Sequence, residues 1–163
     1  MTEHYDIDSF AGPHSIGYLL CQTQAVLRPQ VEALFEREDI SFSQWRVLMC
    51  LRDGIANTAA DISRELAHDK GSMTRLLDQL EERGFLARER DGEDRRIVFL
   101  ALTPAGHAAV NALVPKVVAY YNTLLRSFTR DEVAQLTQLV KRLRAALRGT
   151  TPPILPGDDG AAT

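Results

Sequence analysis

Apolar residues recur at helical spacing along the first third of the 163-residue chain. The spacing predicts a first helix from Ser15 to about Arg37, in which Pro29 marks a kink or a break. A second helix begins within SFSQWRVLMCL, where Ser41 and Gln44 are spaced as a capping box and Ser43 is the competing cap. We expect Asp53-Gly54 to end this second helix.

The next stretch predicts two short helices joined by a tight turn. One runs from Thr58 to near His68, and the other follows Asp69 as its cap and ends at Gly84. The inward positions of the later helix are all apolar and lie three or four residues apart. They are Met73, Leu76, Leu77 and Leu80. This arrangement is typical of a helix-turn-helix.

After Gly84 the apolar pattern shortens to two strand-like runs, FLARER and RRIVFLAL, separated by DGED. An Asp-Gly pair between such runs indicates a β-hairpin. Thr103-Pro104 is typical of a helix start, and a long helix is predicted from there to about Phe128. Thr129 and Glu132 are spaced as a second capping box, which begins the last helix.

The predicted fold class is therefore mainly α with a small β-hairpin. Residues 41–103 form a winged helix-turn-helix domain. Residues 14–40 and 104–148 form a helical dimerisation region, because they carry more apolar surface than the small central domain can cover. Residues 1–13 and 149–163 are predicted to be flexible tails.

Composition excludes several classes of protein. The formal net charge is −3, which argues against indiscriminate binding to nucleic acid. No apolar stretch suits a membrane span, and MTEHYDIDSF lacks the features of a secretory signal, so a cytoplasmic protein is expected. The four histidines are scattered, and no catalytic motif is present. We expect neither a metal, nor another cofactor, nor an enzyme.

The outward face of the fourth helix carries groups suited to a DNA major groove. Arginine can bond guanine, glutamine can bond adenine, and hydroxyls can bond bases or phosphates. The candidate residues are Lys70, Ser72, Thr74, Arg75 and Gln79. An ordinary solvated face is the alternative. Asp78 on the same side counts against the site unless it accepts from a cytosine or braces an arginine.

The hairpin offers a second set of candidates. Arginine at a hairpin tip suits the negative potential of a narrow minor groove, which favours Arg95 and Arg96, with Asp94 holding a guanidinium by a charge-assisted bond. Arg88 and Arg90 on the preceding strand could meet phosphates. A merely soluble hairpin is the alternative. Loss of the Arg96 contact should cost on the order of 1–3 kcal/mol.

The segment TRLLDQLEERGFLARERDGEDRRIVFLALTPAG resembles the core signature of the MarR (multiple antibiotic resistance regulator) family. SQWRVL at 43–48 resembles the family's second helix. The resemblance implies a homodimeric repressor that binds a pseudo-palindromic operator of double-stranded DNA. It also implies that Arg96 is the minor-groove arginine and Asp94 its brace, and that a small phenolic or anionic ligand releases the DNA.

Two aspects of regulation stay open at the level of sequence. The residues that could line a ligand pocket are His14, Tyr18, Trp45 and Arg46, all of which also fit ordinary core or surface positions. The alternative function is a thiol-based sensor of oxidative stress that uses Cys21 or Cys50. A winged domain that binds only proteins is a further possibility, and it predicts no affinity for DNA.

Overall fold

The computed structural model describes residues 4–8, 10–90 and 98–149. A short 3-10 turn at Gly12–His14 precedes the main elements. In chain order these are α1 Ile16–Ala33, α2 Phe42–Arg52, α3 Ala59–Leu66, α4 Lys70–Glu82, β1 Leu86–Arg90, β2 Val98–Leu102, α5 Pro104–Leu124 and α6 Arg130–Gly149. The predicted fold class, helical with a small antiparallel hairpin, is confirmed. None of the helices in the described ranges is both long and apolar enough to cross a membrane.

The first helix ends earlier than predicted. It runs through Pro29 without a break and stops at Ala33 rather than near Arg37. The backbone N–H groups of Leu34 and Phe35 then bond carbonyls three residues back, at 3.1 and 2.9 Å. Such tight bonds close a helix and turn the chain. They bring Phe35 into the core, where it is 5% exposed.

Local capping begins the helices of the central domain as predicted. Ser41 and Gln44 form a complete capping box on α2. Thr58 accepts the backbone N–H of Asp61 at the start of α3, at 3.2 Å. Each cap satisfies a backbone donor that has no partner inside its helix, and so stabilises the first turn.

The core of the central domain lies between α2, α3, α4 and the hairpin. Its most deeply buried side chains come from each helix and from β1. They are Val47, Leu48, Ile62, Met73, Leu77, Leu80 and Leu86. Strand β2 pairs with β1 from Leu86 opposite Leu102 to Arg90 opposite Val98. The backbone N–H of Leu100 also bonds the carbonyl of Asn57 at 2.7 Å, which ties the hairpin to the start of α3.

The turn between α4 and β1 lies directly against the start of α5. Gly84 adopts φ +71°, a conformation that favours glycine. The Thr103 hydroxyl donates to the Gly84 carbonyl at 2.5 Å and accepts the backbone N–H of Gly106 at 3.1 Å. A Cβ atom added at Gly106 would lie 1.9 Å from the carbonyl oxygen of Phe85, so only glycine fits there.

Contacts divide the chain into two compact units, one up to Ala119 and one from Tyr120 onward. The first holds all the buried apolar side chains described above. In the second, α6 begins with a capping box between Thr129 and Glu132, as predicted. None of the α6 residues is buried, and its apolar face is open, with Leu139 50% and Leu147 66% exposed.

Candidate nucleic-acid interface

Helix α4 is held at its start by the turn that follows α3. Ala67 takes a left-handed conformation at φ 50°, which reverses the chain within two residues. The buried Ser63 hydroxyl donates to the His68 carbonyl at 2.6 Å. Asp69 then caps α4 by accepting the backbone N–H of Ser72 at 2.8 Å. These contacts position the first turn of α4 on the surface of the domain.

The structure places the predicted base-reading residues of α4 outside the core, with Arg75 and Gln79 one turn apart on its outward face. Lys70, Thr74, Arg75 and Gln79 are exposed and Ser72 is half-buried, whereas Met73, Leu77 and Leu80 face the core. Leu76, predicted to point inward, is only partly buried. The Thr74 hydroxyl donates to the Lys70 carbonyl at 3.0 Å, which leaves its oxygen as an acceptor on this face.

A shallow groove of about 250 Å³ lies beside this face. Its walls come from the start of α2 and from α4. They are Ser41, Ser43, Gln44, His68, Ser72, Arg75, Leu76 and Gln79. The groove offers hydroxyl, amide and guanidinium groups to a partner, which are the groups that hydrogen-bond base edges and phosphates.

Arg88 makes contacts that the sequence did not indicate. Its guanidinium bonds Asp78 at 2.5 Å and Glu81 at 2.6 Å. Asp78 therefore does brace an arginine, and the pairing offsets a negative charge that would repel phosphates. The predicted phosphate contact of Arg88 would require it to leave these two carboxylates.

The described part of the hairpin consists of its two strands, β1 and β2. Arg90 is the last residue of β1 and is exposed. Asp94, Arg95 and Arg96 lie outside the described residues. Their proposed minor-groove contacts stay predictions.

The four predicted ligand-pocket residues do not come together within one chain. His14 and Tyr18 are exposed at the amino-terminal end of α1, whereas Trp45 and Arg46 lie in α2. In the described residues no hydrogen bond, ion pair or ring contact joins the two pairs. At 1.5 Å per residue, α1 carries Tyr18 roughly 20 Å from the turn that meets α2.

Trp45 and Arg46 instead belong to an aromatic cluster at the start of α2. The Trp45 ring lies 5.4 Å from the Phe35 ring and 6.3 Å from the Phe42 ring. Arg46 lies 5.8 Å over Phe42 and donates to the Leu66 carbonyl at 3.5 Å. Sequence reasoning missed this cluster, although the spacing of Phe42 and Trp45 on one helix face was a visible signal.

The two cysteines differ in environment. Cys21 is exposed on α1, and Cys50 is buried in α2. Burial raises the pKa of the Cys50 thiol, and the nearby Glu65 carboxylate adds to the shift. A thiol whose pKa is raised carries less of the reactive thiolate. The buried environment of Cys50 therefore favours an unreactive thiol.

The Asp69 cap of α4 makes the stability of the fold depend on pH. The Ser72 backbone N–H, followed by its hydroxyl, holds the pKa of Asp69 below its ordinary value of 3.8. Because the folded pKa is the lower one, the stabilisation is present above the ordinary value and is lost as pH falls through the folded value. Asparagine can also cap a helix but carries no charge. We expect the melting temperature of the Asp69→Asn variant to fall less than that of the wild type between about pH 5 and pH 2.5. Circular dichroism measures both melting temperatures.

Asp61 and Glu132 also make stability depend on pH, but they are present in both proteins and do not affect the comparison. Their pKa values are also lowered, by hydrogen bonds from Thr58 and Thr129, and they titrate equally in both proteins. Melting temperatures that fall in parallel for the two proteins would contradict the role given to Asp69.

A family model described as the MarR family matches residues 40–98. The multiple antibiotic resistance protein MarR of Escherichia coli K12 is 33% identical over 107 residues, covering 64% of this chain and 74% of that protein. The homoprotocatechuate degradative operon repressor of Escherichia coli is 23% identical over 145 residues, covering 89% and 97%.

A solved structure extends the comparison to a protein bound to DNA. A mutant of MarR from Escherichia coli, complexed with operator DNA, is 28% identical and superposes with a TM-score of 0.66. The match covers 78% of this chain and 92% of that one. The match thus includes nearly all of a protein that was crystallised on its operator.

Proposed function

Because this chain belongs to the MarR family of DNA-binding transcriptional regulators, we propose that it is a homodimeric repressor of transcription. The observation that carries the proposal is the exposed face of α4, where Arg75 and Gln79 lie one turn apart, with Lys70 and Thr74 also exposed on this helix. This face has the groups that read bases in a major groove. A similar chain has been crystallised with operator DNA, which supports a DNA-binding role for this chain.

Dimerisation is proposed from apolar surface that one chain leaves open. On α1, Leu19 is 47% and Val26 60% exposed. Helix α6 repeats the pattern along a full face. An apolar helix face left exposed in this way favours association, and a two-fold dimer buries such a face on both copies. We therefore propose residues 14–40 and 104–148 as the dimerisation region and residues 41–103 as the DNA-binding domain.

A dimer places two copies of α4 on one duplex. Two-fold symmetry of the protein is matched by an inverted repeat in the DNA, with half-sites about one helical turn apart. Arg90, Arg95 and Arg96 of the hairpin are proposed to contact the backbone and the minor groove, with Asp94 as the brace. Arg88 can contact a phosphate only if it releases the carboxylates of Asp78 and Glu81.

The proposed effector is a small phenolic or anionic molecule. The similar Escherichia coli repressor is named for a homoprotocatechuate degradative operon, and homoprotocatechuate is a phenolic carboxylate. Such a ligand would release DNA by binding better to a dimer whose α4 helices are wrongly spaced for the operator. Arg46, beside the Phe42 ring, is the proposed cationic contact for it.

Selection of bound duplexes from a randomised pool, with purified protein at moderate salt, tests this function. We expect enrichment of an inverted repeat, and phenolic carboxylates are then screened for release of that duplex. Absence of binding at low salt, with no small molecule in a denatured extract of the protein, would exclude the DNA-binding function. The extract matters because a co-purified ligand could hold the protein off DNA.

A thiol-switched regulator is the second candidate, and the exposure of Cys21 is the observation that favours it. The test uses Cys21→Ser and Cys50→Ser in a DNA-binding assay with and without peroxide. If both variants respond to peroxide as the wild type does, the thiol switch is excluded. It is also excluded if the wild-type protein itself does not respond to peroxide.

Cys50 itself should be protected in the folded protein. It is 4% exposed, and a maleimide reaches a thiol only when the chain opens. We expect the Cys21→Ser variant, whose remaining thiol is Cys50, to label at least tenfold more slowly when native than in denaturant. Mass spectrometry measures the labelled fraction, and equal rates in the two states would contradict the buried position.

A further inference from the structure

We propose that Gln44, on α2, determines which end of the Gln79 amide faces DNA and thereby which base edge Gln79 reads. The inference rests on the proposed function, because it concerns how α4 recognises an operator. Gln44 acts as a positioning residue, since it influences base reading through the side chain of Gln79. The two glutamines are 35 positions apart and meet at the groove between α2 and α4.

The capping box sets the orientation of the Gln44 amide. Its Oε1 accepts the backbone N–H of Ser41 at 2.9 Å. A backbone N–H is a donor and never an acceptor, so the oxygen of Gln44 must face it and the NH2 group must turn the other way. The Gln44 backbone N–H in turn donates to the Ser41 hydroxyl at 3.2 Å, which holds both residues in the first turn of α2.

The Gln44 NH2 group then sets the orientation of Gln79. Its Nε2 donates to Oε1 of Gln79 at 3.3 Å. In a planar amide the oxygen and the NH2 group lie on opposite sides, so the Gln79 NH2 turns away from Gln44. Gln79 is exposed on the face of α4 that includes Arg75. The chain of bonds from Ser41 through Gln44 thus presents Gln79 as a donor.

A donor selects acceptor edges in the major groove. Guanine offers two acceptors, O6 and N7, and thymine offers O4. Adenine offers N7 beside its N6 amino group, which repels a donor, as does the N4 amino group of cytosine. The pairing of glutamine with adenine expected from the sequence needs both the oxygen and the NH2 group. Because Oε1 of Gln79 is turned toward Gln44 and its NH2 group toward the DNA, we infer that Gln79 favours guanine or thymine at its position.

Gln44→Glu reverses the orientation with a minimal change in shape. Glutamate at this position keeps the capping box, since one carboxylate oxygen accepts the Ser41 N–H. The other oxygen is also an acceptor, so Gln79 must turn its NH2 toward it and present Oε1 to the DNA. We expect the preference to move from guanine or thymine to cytosine or adenine, by about tenfold in relative affinity at that position.

The measurement is competition binding with selected operators that carry each of the four base pairs at every half-site position. The Gln79→Ala variant identifies the position, because its preference there should fall to near unity. Relative affinities are compared within each variant, so that the added negative charge of Gln44→Glu, which weakens binding to all duplexes, cancels.

Ser41→Ala is the matched control. It removes the hydroxyl cap but keeps the backbone N–H that orients Gln44, so stability falls while the base preference stays as in the wild type. Gln44→Ala also weakens the cap but frees Gln79, and its preference should shrink at least threefold. If these two variants have similar melting temperatures, a base preference that shrinks only in Gln44→Ala results from lost orientation of Gln79 and not from lost stability.

Three results would overturn the inference. If Gln79→Ala removes a preference that Gln44→Glu leaves unchanged, Gln44 does not orient Gln79. If Gln79→Ala changes no base preference while the protein still binds its operator, Gln79 does not read a base and the proposed function stands. If wild-type protein that carries no small molecule enriches no duplex, the proposed function fails and the inference fails with it.

Discussion

Gly106→Ala should be the most destabilising of the substitutions considered, lowering the free energy of unfolding by about 3 kcal/mol. The added Cβ would lie 1.9 Å from the carbonyl oxygen of Phe85 and 3.2 Å from Leu102. The Phe85 carbonyl cannot yield easily, because it accepts the Thr103 N–H at 3.1 Å. Either α5 or the turn after α4 must move. Urea denaturation followed by circular dichroism measures the difference.

Gly71→Ala is the matched control for this prediction. Gly71 also lies in a helix, but its added Cβ would meet only a side-chain atom of Asp69 at 3.5 Å, an ordinary contact. Alanine favours the helix over glycine by up to about 1 kcal/mol. We expect Gly71→Ala to be neutral or slightly stabilising. Equal midpoints for Gly106→Ala and the wild type would show that α5 does not approach the turn so closely.

Arg75→Ala should weaken binding to the selected operator by about 10- to 100-fold, corresponding to 1–3 kcal/mol. Arg75 is exposed at the centre of the reading face, and a guanidinium can bond a guanine edge with two hydrogen bonds. The loss of affinity should be confined to duplexes that carry the preferred base pair at one position. Duplexes with another base pair there never made the contact with Arg75. Fluorescence anisotropy with operators varied at each position measures it.

Two further variants show whether this effect is specific. Lys70→Ala removes a charge at the start of α4 and, as a phosphate contact, should weaken binding to all sequences about equally. Arg126→Ala removes an exposed charge between α5 and α6 and should leave operator affinity near that of the wild type. If Arg75→Ala behaves like Arg126→Ala, Arg75 does not read a base.

The elements of this fold were largely predictable because their signals are local. The capping residues Ser41, Thr58, Asp69 and Thr129 each lie within three residues of the backbone donor that they satisfy. Apolar spacing likewise depends only on the turn of one helix. The end of α1 was predicted wrongly, because it is decided by the packing of Phe35 rather than by a local stop signal.

The candidate site was predictable only in part. Placing Arg75 and Gln79 on one outward face needs no more than the 100° step of a helix. The four residues predicted to line a ligand pocket do not meet within one chain, because His14 and Tyr18 lie a helix length away from Trp45, and this pocket stays a prediction. Residues far apart in sequence share a site only when packing brings their elements together.

The sequence by itself determined the order of the elements, the caps that begin them and the outward face of α4, since each depends on residues within about one helical turn. Only the tertiary structure decided that Arg88 pairs with Asp78 and Glu81, and that Gln44 bonds Gln79. These contacts join different elements, and their distances follow from how helices and hairpin pack on a shared core. Packing of that kind is a property of the whole domain and leaves no local pattern in the chain.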